Sequence, residues 1–278
     1  MLTGACCARH VTGNGPATLR RSHGMTKTHG YAGQEIPTTD AHGDAPTAPT
    51  AIPPPARLLV ALGAAGPVLF LAVAALLGLL DPRYDAMSQP MSELVLGPLG
   101  WAQTASFYAT GLSFVAFAVG FALAFRRLLP RRSPAARALL GLVGVLIAIS
   151  GAGLLVSGAF PTDPSGGPRT DTGAIHDLAF LLVLLPLILA YPAAALAMRK
   201  AAGWGRYALA TALVPVAVFG LTFVFVAFAG DPGDPLHAVG GLLQRALLAV
   251  AFGWITLTGW RLLRRTSEGD QRVSSSIR

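Results

Sequence analysis

Six apolar stretches, at about residues 58–80, 102–125, 135–160, 175–198, 207–229 and 237–262, alternate with short polar connections along the chain. A helix rising 1.5 Å per residue crosses the hydrocarbon core of a bilayer in about 20 residues, and each stretch is long enough to do so. Lipid offers the backbone no hydrogen-bonding partner, so each stretch must form a helix. The connections are too short to fold as separate soluble domains. The pattern therefore predicts an all-α polytopic membrane protein, with six transmembrane helices in one bundle over residues 57–263. Residues 1–56 are rich in Gly, Pro, Thr, Ala and His and show no apolar periodicity, which reads as a disordered tail. Residues 264–278 read as a second, shorter tail, and Met25 offers an alternative start to Met1.

Local signals place several boundaries. Ser133-Pro134 and Asp234-Pro235 each resemble an N-cap followed by Pro at the first helical position. Pro67, Pro186 and Pro215 fall inside helices, where neighbours must satisfy the freed carbonyls. Asp81-Pro82, Asp163-Pro164 and Asp231-Pro232 follow the first, third and fifth stretches, so the chain reads as three hairpins with the same punctuation. In the second stretch Gln103, Ser106, Thr110 and Ser113, at steps of three and four, draw a polar stripe down one helix face. Such a stripe either holds helices together by hydrogen bonds or lines a water-filled path.

Composition agrees with the periodicity. The 278 residues are 53% hydrophobic and 12% charged, whereas a soluble domain carries about 25% charge. The net charge of +8 sits on Lys and Arg that flank apolar helices, so its partner is the lipid bilayer, not nucleic acid. The charges are also sorted by sign. Asp81, Asp85, Glu93, Asp163, Asp171, Asp177, Asp231 and Asp234 all fall in the first, third and fifth connections. Of the 21 basic residues, all but Arg83, Arg169 and Arg245 lie in the tails and the two remaining connections or beside them. By the positive-inside rule both termini are cytoplasmic and the acidic loops face outward, as in a multi-pass protein of the plasma membrane. The two cysteines, Cys6 and Cys7, are adjacent in the tail, which excludes a Cys-based zinc site or disulfide framework within the bundle.

Candidate chemistry gathers at the acidic end. His176 and His237, the two histidines of the membrane region, fall at the starts of the fourth and sixth helices, near Asp163 and Asp177 and the Ser92-Glu93 pair. Two imidazoles and a carboxylate could ligate zinc and leave a position for water, with Ser92 as hydrogen-bond donor or nucleophile. The metal candidates are His176, His237 and Asp163. The other reading makes these groups helix caps and solvated surface charges. Arg245 lies within the sixth helix, where a charge is costly without a partner. It either pairs with Glu93 or Asp163, binds the anionic part of a lipid or small-molecule ligand, or snorkels outward.

The stretches DPRYDAMSQPMSEL, FPTDP, TGAIHDL and HAVGGLLQR, in that order and on those connections, make residues 57–263 resemble the bacterial membrane proteins grouped as domain of unknown function 998. The resemblance implies an integral membrane protein of six helices and supplies no activity or cofactor. Its polar motifs fall on Ser92, Glu93, Asp163, His176, His237 and Arg245. A more distant similarity in character is to membrane hydrolases such as alkaline ceramidases and adiponectin-type receptors, although no HxxxH is present here. Three functional readings follow. The outer polar cluster stabilises the bundle or binds a small or lipid-derived ligand, or the chain is a metal-dependent hydrolase acting on a lipid, or it is a small-solute transporter.

Overall fold

Each apolar stretch becomes the membrane-spanning part of one long helix. The computed structural model describes residues 52–276 apart from 131 and 230–232, so the Asp231-Pro232 punctuation lies outside the described residues. The helices are α1 (Pro54–Leu80), α2 (Gly100–Leu128), α3 (Pro134–Ala159), α4 (Asp171–Met198), α5 (Gly205–Val224) and α6 (Gly240–Ser276). Among the described residues there is no strand, and six helices are long and apolar enough to cross a membrane. A short 3-10 turn at Met91–Leu96 precedes α2. The fifth span ends in a π segment at Phe225–Ala229, and a 3-10 turn at Pro235–Val239 leads into α6. α6 continues beyond Leu263 to Ser276, into the stretch that its polar composition assigns to a tail.

Consecutive helices pack on one another, and α6 closes the ring against α1. Rings fill the interior from one end to the other: Phe70 meets Phe107 at 5.1 Å, Phe114 meets Phe252 at 5.0 Å, and Phe125 meets Trp204 at 4.8 Å. These are the offset and edge-on separations that aromatic pairs prefer. Where rings do not fill space, backbones close in. A Cβ on Gly111 of α2 would lie 2.8 Å from the Gly151 carbonyl of α3, and one on Gly151 would lie 2.7 Å from the Gly111 carbonyl. Such small-residue contacts are how helices approach one another where lipid removes the hydrophobic drive between them. Leu213, Val216, Phe219 and Phe223 of α5 turn outward, as a lipid-facing surface requires.

The polar stripe on α2 is buried throughout, at Gln103, Ser106, Thr110 and Ser113. Thr110 bonds across to the Gly66 carbonyl of α1 at 3.3 Å, while Ser106 and Ser113 bond back to carbonyls of their own helix. Of the two expected N-caps, Asp234 accepts from the Leu236 N–H, whereas the Ser133 side chain caps nothing although Pro134 does start α3. At the basic end Gly203 adopts φ +73 in the α4–α5 turn, a left-handed conformation that glycine adopts without strain. Arg261 and Arg265 of α6 donate to its carbonyl and place their guanidinium groups over the Trp204 ring.

Candidate functional site

The loop between α1 and α2 folds back across the start of α6. Gly241 and Leu242 donate their N–H groups to the Ser88 and Met87 carbonyls, both at 3.0 Å, so loop carbonyls replace a side-chain cap. The approach is close enough that a Cβ on Gly241 would sit 2.3 Å from the Gln89 carbonyl. Gln89 ties this loop together. Its Oε1 accepts from the Asp85 N–H at 2.7 Å, its Nε2 donates to Glu93 at 3.0 Å, and its carbonyl accepts from the Tyr84 hydroxyl at 2.9 Å. Asp85 accepts from the Ser88 hydroxyl and the Met87 N–H, which hold its carboxyl below the usual range, the hydroxyl most of all. Burial pushes the Tyr84 phenol up, and the hydrogen bond from Arg245 opposes that shift in part.

Arg245 departs from expectation. Its Nη1 donates to the carbonyls of Ala86 at 2.7 Å, Gly241 at 2.9 Å and Gln89 at 3.3 Å, and its Nη2 donates to the Tyr84 hydroxyl at 2.6 Å. Carbonyl oxygens, not the carboxylates of Glu93 or Asp163, hold the guanidinium. The reason is geometric: α6 begins at Gly240, so Arg245 lies only about 7.5 Å from the helix start and within reach of the returning loop. The neighbouring Gln244 faces the other way, and its Oε1 accepts from the buried Met91 N–H at 2.6 Å.

The α3–α4 loop joins this assembly through Glu93. That carboxylate is 7% exposed and accepts from both the N–H and the hydroxyl of Ser165. Asp163 accepts from the Thr170 hydroxyl at 2.6 Å and the Thr170 N–H at 2.9 Å, and those bonds hold its carboxyl below the usual range. The Thr170 hydroxyl in turn accepts from the Gly173 N–H, capping α4. Asp163 sits so close over this helix start that a Cβ on Gly173 would lie 2.1 Å from its Oδ2. The α4 dipole favours a negative charge there. Asp177 pairs with Arg169 at 2.5 Å, but both side chains are exposed and solvent screens the pair.

The two histidines cap different helix ends. His176, 4% exposed, directs Nδ1 at the carbonyls of Phe160, 2.8 Å away, and Ser157, 3.2 Å away, at the end of α3. A carbonyl only accepts, so Nδ1 carries the hydrogen. His237 directs its own Nδ1 at the Ala229 carbonyl, 2.9 Å away, at the end of the π segment. His176, His237 and Asp163 are not brought to a common point, and among the described residues no three His, Cys, Asp or Glu side chains are grouped as a metal ion would need.

Two spaces adjoin these side chains. One is a groove of about 440 Å³ between the α3–α4 loop and the end of the fifth span. Glu93, Asp163, Ser165, Arg169 and Asp177 line its polar side, and Phe180, Leu181, Phe225 and Val226 its apolar side. The other is a cavity of about 20 Å³ among aromatic side chains, where Ser92, Ser157, His176 and Gln244 meet. Phe180 borders both spaces. Thus Glu93, Asp163 and Asp177 share the groove, Ser92 and His176 share the cavity, and His237 and Arg245 line neither. Sequence reasoning passed over Gln89, Gln244, Tyr84, Ser165 and Thr170. The available signal for Gln89 and Gln244 was a neutral amide inside the SQP and LQR portions of the loop and helix motifs.

A family model described as protein of unknown function (DUF998) matches residues 64–261, a stretch that contains both spaces and every residue named around them. Comparison with curated proteins and with solved structures finds no match.

Proposed function

We propose that this chain, which belongs to the family described as protein of unknown function (DUF998), is a multi-pass protein of the plasma membrane whose acidic end binds an amphiphile with a cationic head group. The observation that carries the reading is the groove. Its volume of about 440 Å³ lies within the range of ligand pockets. Three carboxylates, Glu93, Asp163 and Asp177, face one cation, Arg169, on the polar side, while the opposite side is aromatic and aliphatic. Such a groove, at the end of membrane-spanning helices, receives a molecule whose tail stays among apolar side chains as its head reaches the carboxylates. With the basic end cytoplasmic, as the positive-inside rule directs, the groove opens at the outer leaflet.

The test uses purified protein in nanodiscs and three twelve-carbon probes: dodecylammonium, dodecyl maltoside and dodecyl sulfate. Saturable binding of the ammonium alone, weakened by added salt, is expected. Asp163→Asn and Asp177→Asn should each weaken it by about two- to fivefold. Equal binding of the three probes, or binding indifferent to both substitutions, removes the reading.

A further inference from the structure

The cavity beside the groove is lined by four polar side chains, Ser92, Ser157, His176 and Gln244, and leaves part of each unused. Ser92, Ser157, His176 and Gln244 are 9%, 3%, 4% and 5% exposed. Their environment is otherwise apolar, with Phe70, Phe107 and Phe252 among the walls. His176 commits Nδ1 to the carbonyls that end α3, so an uncharged ring there offers its lone pair at Nε2. Gln244 commits Oε1 to the Met91 N–H, which fixes the amide so that Nε2 remains a donor. The Ser92 hydroxyl makes no hydrogen bond among the described residues and can donate or accept. Buried polar groups are normally paired, and incomplete ones around one space, the Ser157 hydroxyl adding a second group that donates or accepts, define the guest that completes them. That guest must donate to His176 Nε2 and accept from Gln244 Nε2, with Ser92 able to do either. A hydroxyl meets both demands, whereas a carbonyl or ether oxygen would leave the imidazole unmet. The volume of about 20 Å³ is that of a single water-sized oxygen group.

The position of this space relative to the groove narrows the ligand. Ser92 and Glu93 are consecutive in the 3-10 turn, one lining the cavity and the other the groove, and consecutive Cα atoms are about 3.8 Å apart. Phe180 of α4 is half-buried and lines both spaces. We propose that the cavity is a hydroxyl subsite of the groove, and that the ligand class is a long-chain amino alcohol with its hydroxyl one or two carbons from the amine. This proposal rests on the cationic-amphiphile reading of the groove and adds to it a neutral group that the carboxylates alone would not select.

The experiment compares dodecylammonium with 1-amino-2-dodecanol, which adds one hydroxyl at unchanged charge, on the full chain in nanodiscs. The amino alcohol should bind about tenfold tighter. Ser92→Ala and His176→Asn should each abolish that advantage while leaving dodecylammonium affinity as it was. Asn is chosen at residue 176 because its amide can still donate to the α3 carbonyls, so a folding defect is separated from loss of Nε2. Equal affinity for the two amines in the unsubstituted chain overturns the hydroxyl subsite and leaves the groove reading standing. An advantage that survives both substitutions also overturns it. Binding of neither amine overturns both proposals.

Discussion

Asp163 shows how a residue that the sequence singles out acquires its meaning only from its neighbours. Read along the chain it is half of an Asp-Pro pair; in the fold it sits over the first turn of α4, bonded to Thr170. The Thr170 hydroxyl and N–H lower its pKa from the ordinary Asp value of 3.8, and Asp85 is lowered by Ser88 and Met87. A depressed carboxyl stabilises the folded state fully above the unfolded value and loses that contribution as pH falls through the folded one. Melting temperature should therefore start to drop once pH falls below about 4, and Asp163→Asn should make the drop shallower. Thr170→Val removes the cap on Gly173 as well, so it should cost about 1 kcal/mol even at neutral pH, measured by denaturant unfolding in detergent. Arg245 carries the opposite lesson. A charge in a helix advertises that it needs a partner, but backbone carbonyls have no sequence signature, so Ala86, Gln89 and Gly241 could not be named in advance. Lysine presents a compact ammonium and cannot span three carbonyls and a phenol at once. Arg245→Lys should lower stability by about 1–3 kcal/mol, with the Tyr84 end of the loop gaining hydrogen-exchange rate first. An unchanged exchange rate there would contradict the role given to the guanidinium.

At the scale of elements, what the sequence made legible was what lipid enforces. Apolar length sets each span, so the six spans stand where hydrophobicity put them; most helix ends moved by a few residues, while α6 runs on through polar sequence to Ser276. The ends moved because they depend on hydrogen bonds with distant loops: α6 starts where Ser88 and Met87 accept its N–H groups, far from anything local to Gly240. The π segment at Phe225–Ala229 was equally out of reach, since its apolar sequence differs in nothing from the helix before it. The stripe on α2 was legible as a buried face, although only Thr110 reaches a neighbouring helix. Helix contacts were the harder part, because glycine is common throughout a chain with 32 of them. Geometry distinguishes Gly111 and Gly151, whose backbones touch. Gly151→Val places atoms where the Gly111 carbonyl already is, and should cost about 1–3 kcal/mol by forcing α2 and α3 apart. Gly141 has open space beside it, so Gly141→Ala should be neutral or slightly stabilising in the same unfolding measurement.

For the whole molecule, charge sorting and site placement are one property seen twice. The groove that gathers Glu93, Asp163 and Asp177 lies at the end that holds the acidic residues of the bundle's connections among the described residues. Arg126, Arg127, Arg199, Lys200 and Arg206 lie at the other end, the one that an anionic leaflet would attract. A cationic ligand entering from that second side would meet repulsion before reaching a carboxylate, so the orientation of the bundle decides which leaflet can supply the ligand. Single cysteines test this directly, in a chain whose own Cys6 and Cys7 are first replaced by serine. Asp171→Cys lies in the exposed first turn of α4 and Lys200→Cys in the exposed α4–α5 turn, so neither disturbs the core. In intact cells a membrane-impermeant maleimide should label Cys at residue 171 and spare Cys at residue 200, and permeabilisation should make both reactive. The reverse pattern would invert the bundle and move the groove to the cytoplasmic leaflet, with the amphiphile then drawn from inside the cell.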